Sequence, residues 1–130
     1  MKEEDFLARV QELGALPTRK EARRWATAVF RAMAHLLPDA EARRHFVTQL
    51  PGGLKSAQLA EPPHPLLMDR EAFVQHVAAA LGTHAPEGER ALRTVYTILR
   101  EAVSPGQIAQ FEAHLPKDIA TLLESERRFA

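Results

Sequence analysis

Residues 18–37, Thr-Arg-Lys-Glu-Ala-Arg-Arg-Trp-Ala-Thr-Ala-Val-Phe-Arg-Ala-Met-Ala-His-Leu-Leu, decide the fold class. Thr18-x-x-Glu21 has the spacing of a capping box, in which a hydroxyl accepts from a backbone N–H three residues on and opens a helix. Ala22, Trp25, Ala26, Val29, Phe30, Met33 and Leu37 then follow in steps of three and four, the repeat of one helical face. A strand would alternate polar and apolar residues and favour β-branched ones, and this stretch does neither. It predicts a long amphipathic helix, interrupted at Pro38-Asp39.

The same periodicity extends in both directions and predicts an all-α fold of about eight helices. A first helix over 3–14 begins with Glu3, Glu4 and Asp5 at the positive end of its dipole, turns Phe6, Val10 and Leu13 inward, and stops at Gly14. Asp39 is placed to cap a third helix carrying Phe46, Val47 and Leu50, and Leu50-Pro51-Gly52-Gly53 ends it before a short segment around Leu54–Leu59. Beyond the proline-dense stretch 61–65, Asp69 caps a fifth helix with Phe73, Val77 and Leu81 inward and Gly82 as stop. A sixth runs from about Pro86 to Val103 with Leu92, Val95, Tyr96 and Leu99 on its inner face. Ser104-Pro105-Gly106-Gln107 joins a capping box to proline at the first helical position, opening a seventh helix with Ile108, Phe111 and Leu115. Leu115-Pro116 leads into an eighth with Ile119, Leu122 and Leu123.

Two parts of the chain read alike. Phe6-x-x-x-Val10 matches Phe73-x-x-x-Val77, Gly14 matches Gly82, Val29-Phe30-x-x-Met33 matches Val95-Tyr96-x-x-Leu99, and Phe46-x-x-x-Leu50-Pro51 matches Phe111-x-x-x-Leu115-Pro116. The expectation is one domain, 1–130, made of two internal repeats, 3–60 and 69–126, joined by a proline-rich connection at 61–68 and sharing one core. Every shared position is apolar, Gly or Pro, so no catalytic polar residue belongs to the common pattern.

These landmarks, with the Ala22–Met33 helix and Gln49-Leu50-Pro51, resemble the bacterial family catalogued as domain of unknown function 2267, over about 3–125. The resemblance implies a small all-helical cytosolic protein with paired halves, and it brings no activity, cofactor or catalytic residue. Gln107 departs from it, standing where an acid is expected, as does the proline-dense connection.

Composition narrows the functions further. The 130 residues are long enough for a substantial core, with about 6,900 Å² of surface expected when folded against roughly 21,000 Å² for the extended chain. No cysteine is present, which removes disulfides, thiolate metal sites and a cysteine nucleophile. The acidic Met1–Phe6 start lacks the basic-then-apolar pattern of a secretory leader, and no run is long and apolar enough to span a bilayer, so a cytoplasmic location without membrane contact is expected. Asn is absent and Arg far exceeds Lys, a bias produced both by thermophily and by a GC-rich genome.

Candidate chemistry is sparse. His35, Glu41 and His45 are spaced so that a three-ligand site across the Pro38 turn is conceivable, but Glu41 and His45 read more simply as a solvated pair. His84, beside Gly82 at a helix end, reads as a cation favouring the C-terminal dipole. No nucleophile elbow or phosphate-cradling glycine loop is present, so no catalytic, cofactor-binding or metal-ligating residues are assigned and an enzyme is not the expected class. Net charge is zero, yet ten basic residues face eight acidic ones through position 65 and seven face nine beyond it, so +2 stands against −2. Arg19, Lys20, Arg23 and Arg24 crowd the start of the long helix, with Arg43 and Arg44 as further members. That cluster suits an acidic partner, an anion or nucleic acid, or else a solvated face paired with Glu21 and with acids of the second half. Trp25 reads as core; were it exposed beside Arg24, it would anchor an interface. The pattern points first to a non-enzymatic protein-interaction or regulatory module, whose partner is another protein or a second copy of the chain, offering a groove between its halves or the basic face. An anion or nucleic-acid binder working through Arg19–Arg24 is the alternative, and a small metal or hydrolytic enzyme a third.

Overall fold

The computed structural model describes residues 1–37, 40–51, 54 and 68–127, with side chains through 123. Among the described residues there are seven helices and no strand: α1 (Glu3–Leu13), α2 (Arg19–Leu36), α3 (Ala40–Thr48), α4 (Arg70–Ala80), α5 (Ala85–Ala102), α6 (Pro105–Glu112) and α7 (Lys117–Arg127). The segment expected around Leu54–Leu59 lies outside the described residues except for Leu54, and so do Asp39 and the connection 61–68 except for Met68.

The helix starts follow the local chemistry. Thr18 accepts from the Glu21 N–H at 3.1 Å, Asp69 from the Ala72 N–H at 2.8 Å and Ser104 from the Gln107 N–H at 3.3 Å. Each of these bonds satisfies one of the donors that a helix leaves unpaired at its start. Neither expected capping box closes in the other direction, because the Glu21 carboxylate turns to Arg24 at 3.1 Å and the Gln107 amide to His45. A third carboxylate, on Asp118 of α7, accepts from the Arg70 N–H at 2.7 Å and ties α7 to the start of α4.

Helices α2 and α5 lie against each other at the centre; α1 packs on both, α4 packs on both, α3 sits on α2, and α7 sits on α5 and α4. The expected inner face of α2 is buried throughout, and its last nine positions bury every residue but Arg31 with Ala28, Ala32 and Ala34 as well, because neighbours cover α2 on several sides. A single apolar cluster runs from Phe6 of α1 to Leu123 of α7. Burial of this apolar surface stabilises the fold by roughly 25 cal/mol per Å² removed from water.

Three sequence expectations are corrected at helix ends. Gly14 is the C-cap of α1 but has right-handed φ of −81°, and the left-handed residue is Ala15 at φ 52°; in the second half it is Gly82, at φ 67°. Since Phe6 and Phe73 are 67 apart, Gly82 corresponds to Ala15, and Gly14 corresponds to Leu81. Gly14 is needed for space, as a β-carbon there would lie 2.9 Å from Cζ3 of Trp25. Leu13 is 48% exposed, and Leu7 completes the buried face of α1. His84 is the N-cap of α5, so a charge on it would oppose the dipole of that helix; its side chain makes no capping bond.

Candidate functional site: the groove between α3 and α6

Helices α3 and α6 are short, and each sends a phenylalanine inward. Phe46 and Phe111 stack with ring centroids 4.9 Å apart and planes 23° apart. Phe46 also meets Phe30 edge-on at 6.3 Å, and Phe30 meets Phe6 at 5.5 Å, so four aromatic rings connect α1, α2, α3 and α6. Tyr96 of α5, fully buried, donates its hydroxyl to the Glu112 carboxylate and holds α6 against the centre.

Over the stacked rings lies a groove of about 350 Å³. Leu37, Ala42, Phe46, Leu99, Val103, Ile108 and Phe111 form its apolar walls, and Glu41, His45, Gln49, Gln107, Gln110 and His114 its polar ones. His45 Nε2 and Gln107 Oε1 are 2.9 Å apart, which places the imidazole proton on Nε2 as donor to the amide oxygen. Among the described residues, no Lys or Arg lines the groove, and Glu41 is its one formally charged residue. The groove therefore offers apolar contact and neutral hydrogen-bonding groups. A second hollow, of about 420 Å³ over Arg70, Glu71, Gln75 and Glu89, is walled by charge, with Arg70 and Glu89 paired at 3.7 Å.

The residues singled out from sequence lie elsewhere. Arg19 bonds Gln11 at 3.0 Å and pairs with Glu4 at 3.4 Å, Arg23 pairs with Glu3, and Arg24 pairs with Glu21 at 3.1 Å and donates to the Leu81 carbonyl at 3.2 Å. Glu21, as the sequence suggested, and acids of α1 thus compensate the basic start of α2, where the sequence pointed to acids of the second half rather than to those of α1. Arg24 also meets the last turn of α4, where a cation is favoured. Lys20 is exposed on the same helix start. Arg43 and Arg44 do not join this cluster: they stand on α3, past the far end of an α2 that is about 27 Å long at 1.5 Å per residue. There Arg43 donates to the Leu37 carbonyl at 3.3 Å, and Arg44 is exposed. Trp25 is buried, at 8% exposure, with the Arg90 guanidinium 5.3 Å above its ring, so it is core and presents no exposed anchor.

His35, Glu41 and His45 are not brought together. His35 faces His76 of α4, while His45 faces Gln107. Among the described residues, no group of three or more His, Asp or Glu side chains is arranged to hold a metal. Among those same residues, no helix is long and apolar enough to cross a membrane. Sequence reading gave Gln49, Gln110 and His114 no place in a site, because polar side chains carry no periodic signal. Gln107 had left one, as a departure from the expected acid, and an acid there could not leave the same neutral rim.

Helices wrapped on a common apolar cluster, with a neutral groove between two short helices, define a small all-helical protein. The chain belongs to the family described as uncharacterized conserved protein (DUF2267), whose family model matches residues 3–122. A comparison with curated proteins finds no match.

Proposed function

We propose that the chain is a cytoplasmic, non-enzymatic interaction module that receives a short apolar segment of another protein in the α3–α6 groove. The observation that carries this reading is the pairing of a stacked Phe46–Phe111 floor with a rim of Gln49, Gln107, Gln110, His45 and His114. Carboxamides both donate and accept, as a peptide backbone requires, and the apolar floor supplies the burial that makes association favourable. The volume suits a few side chains, near the lower end of the roughly 300–1,000 Å³ typical of ligand sites. Glu41, the one formal charge among the described lining residues, favours a basic residue beside the apolar anchors.

A tandem duplication also belongs to this reading. The offset of 65 that pairs Phe46 with Phe111 also pairs Ala42 with Gln107, His45 with Gln110 and Gln49 with His114, and all eight line the groove. On this view the groove is where two repeats, 3–60 and 69–126, meet. The engaged arginines at the start of α2 make that face the weaker candidate for an anion or nucleic acid.

Selection of displayed random peptides on the wild-type protein and on Ala42→Trp, which fills the groove, tests the proposal. Selected peptides are expected to share apolar anchors and to lose about tenfold or more in affinity for Ala42→Trp, a loss of at least about 1.4 kcal/mol. Enrichment of no peptide, or of peptides that bind both proteins equally, would overturn it.

A further inference from the structure

We propose that His35 and His76 form an acid-sensitive latch between α2 and α4. His35 is the penultimate residue of α2 and is 9% exposed. His76 lies in mid-α4, between the buried Phe73 and Val77. Nδ1 of His35 and Nε2 of His76 are 3.1 Å apart, with ring centroids at 5.3 Å and planes at 57°. The residues are 41 positions apart, so this contact exists only when the two helices are docked.

An N–H···N bond needs one ring to donate and the other to present a lone pair. Two neutral imidazoles meet that condition, and one added proton still leaves a donor and an acceptor. Adding a second proton leaves two donors and two like charges facing each other at 3.1 Å. The latch must then open.

The surroundings make protonation costly. Burial, the strongest effect, pushes the His35 imidazole below its ordinary range, and positive charge at His76, at Arg31 one turn earlier on α2 and at Arg43 of α3 pushes the same way. Of the other helices packed on α4, α7 brings Asp118 to the Arg70 N–H and α5 brings Glu89 to the Arg70 guanidinium, six positions from His76. Because the folded-state value of His35 is depressed, the docked form is favoured above the unfolded histidine value near 6.5 and loses that advantage as pH falls below it.

The geometry also couples the tautomers. If His35 Nδ1 donates, His76 must carry its proton on Nδ1; if His76 Nε2 donates, His35 must carry its own on Nε2. Both rings therefore share one tautomer, either Nδ1–H in both or Nε2–H in both.

The test is multiple-bond nitrogen NMR of the imidazoles from pH 8 to 4.5, with amide exchange along α2 and α4, on wild type and on His76→Gln. Gln can donate to His35 Nδ1 but does not titrate. In wild type, matching tautomers are expected for the two rings at pH 7.5, with His35 protonating below the ordinary histidine value near 6.5. Amides of α4 are expected to open about tenfold more often at pH 5 than at 7.5, after correction for intrinsic rates, where His35 is depressed by one unit. His76→Gln should weaken that acid response, leaving the part that burial of His35 imposes. Opposite tautomers, a His35 titration at the ordinary histidine value near 6.5, or an unchanged acid response in His76→Gln would each overturn the proposal. The wild-type NMR decides it even if the variant does not fold.

Discussion

The indole of Trp25 lies so close to Gly14 that a β-carbon at position 14 would stand 2.9 Å from Cζ3 of the ring. Arg90 closes the arrangement from α5, with its guanidinium 5.3 Å above the same ring and an N–H donated to the Gly14 carbonyl. Gly14→Ala is therefore expected to force the ring aside and cost about 1–3 kcal/mol in urea denaturation, the usual range for overpacking. Trp25 is the sole tryptophan, so its emission should shift in the same variant.

Arg90→Met keeps most of the aliphatic stem and removes the cation. The loss combines a cation–π contact of about 0.5–1 kcal/mol with a hydrogen bond of about 1 kcal/mol, giving an expected destabilisation of about 1–2 kcal/mol. An unchanged denaturation midpoint would show that neither contact persists in solution.

Two glycines in helices predict opposite outcomes. At Gly88, inside α5, a β-carbon would meet Ala78 Cβ at 2.7 Å and the Val74 carbonyl oxygen at 2.9 Å, so the substitution pushes α5 away from α4. Gly88→Ala should lower stability by about 1–3 kcal/mol despite alanine's better helix propensity. At Gly106, in the first turn of α6, nothing lies within 4 Å and φ is not left-handed. Gly106→Ala should raise stability by about 0.4–1 kcal/mol, by narrowing the unfolded ensemble. Thermal melts of the two variants beside wild type check both signs.

The Phe46–Phe111 stack should appear as coupling. In a double-mutant cycle with Leu at each position, the two substitutions are expected to be non-additive by about 0.5–1.5 kcal/mol, the excess that aromatic pairs contribute beyond area burial. Additive losses would mean the rings do not stack.

The basic start of α2 should bind polyanions weakly while its acids are in place. Replacing Glu3 and Glu4 together by Gln removes the partners of Arg23 and Arg19, and retention on heparin should rise to a higher eluting salt concentration. The exposed Arg19–Glu4 pair should contribute less than about 1 kcal/mol to stability, and the half-buried Glu3 beside Arg23 more.

The helices were legible because their signals are local. Thr18, Asp69 and Ser104 were readable as caps from their own positions, and each accepts the bond expected of it. Ala22, Trp25, Val29 and Met33, like Leu92, Val95 and Leu99, showed their inner faces by spacing alone, and all are buried. Local signals misled where two readings share one pattern. Gly14 stops α1 as expected but does not match Gly82, since its φ is right-handed and the left-handed residue is Ala15; His84 looked like the end of one helix and begins another. Leu13 fits the period of α1, yet the face of that helix is completed by Leu7.

Which polar side chains meet was decided only by packing. Arg9 and Glu101 are 92 positions apart and meet at 2.9 Å; His45 and Gln107 are 62 apart and meet at 2.9 Å. His35 and His76, 41 apart, close the joint between α2 and α4. No periodicity marks such residues, because a hydrogen bond depends on a match within a few tenths of an ångström between helices whose relative placement the whole core sets. Hydrophobic burial, in contrast, is non-directional, and it is written into the chain residue by residue as a repeat. The inner face of every described helix could therefore be approached from the sequence, whereas the groove between α3 and α6 and the histidine pair exist only in the assembled fold.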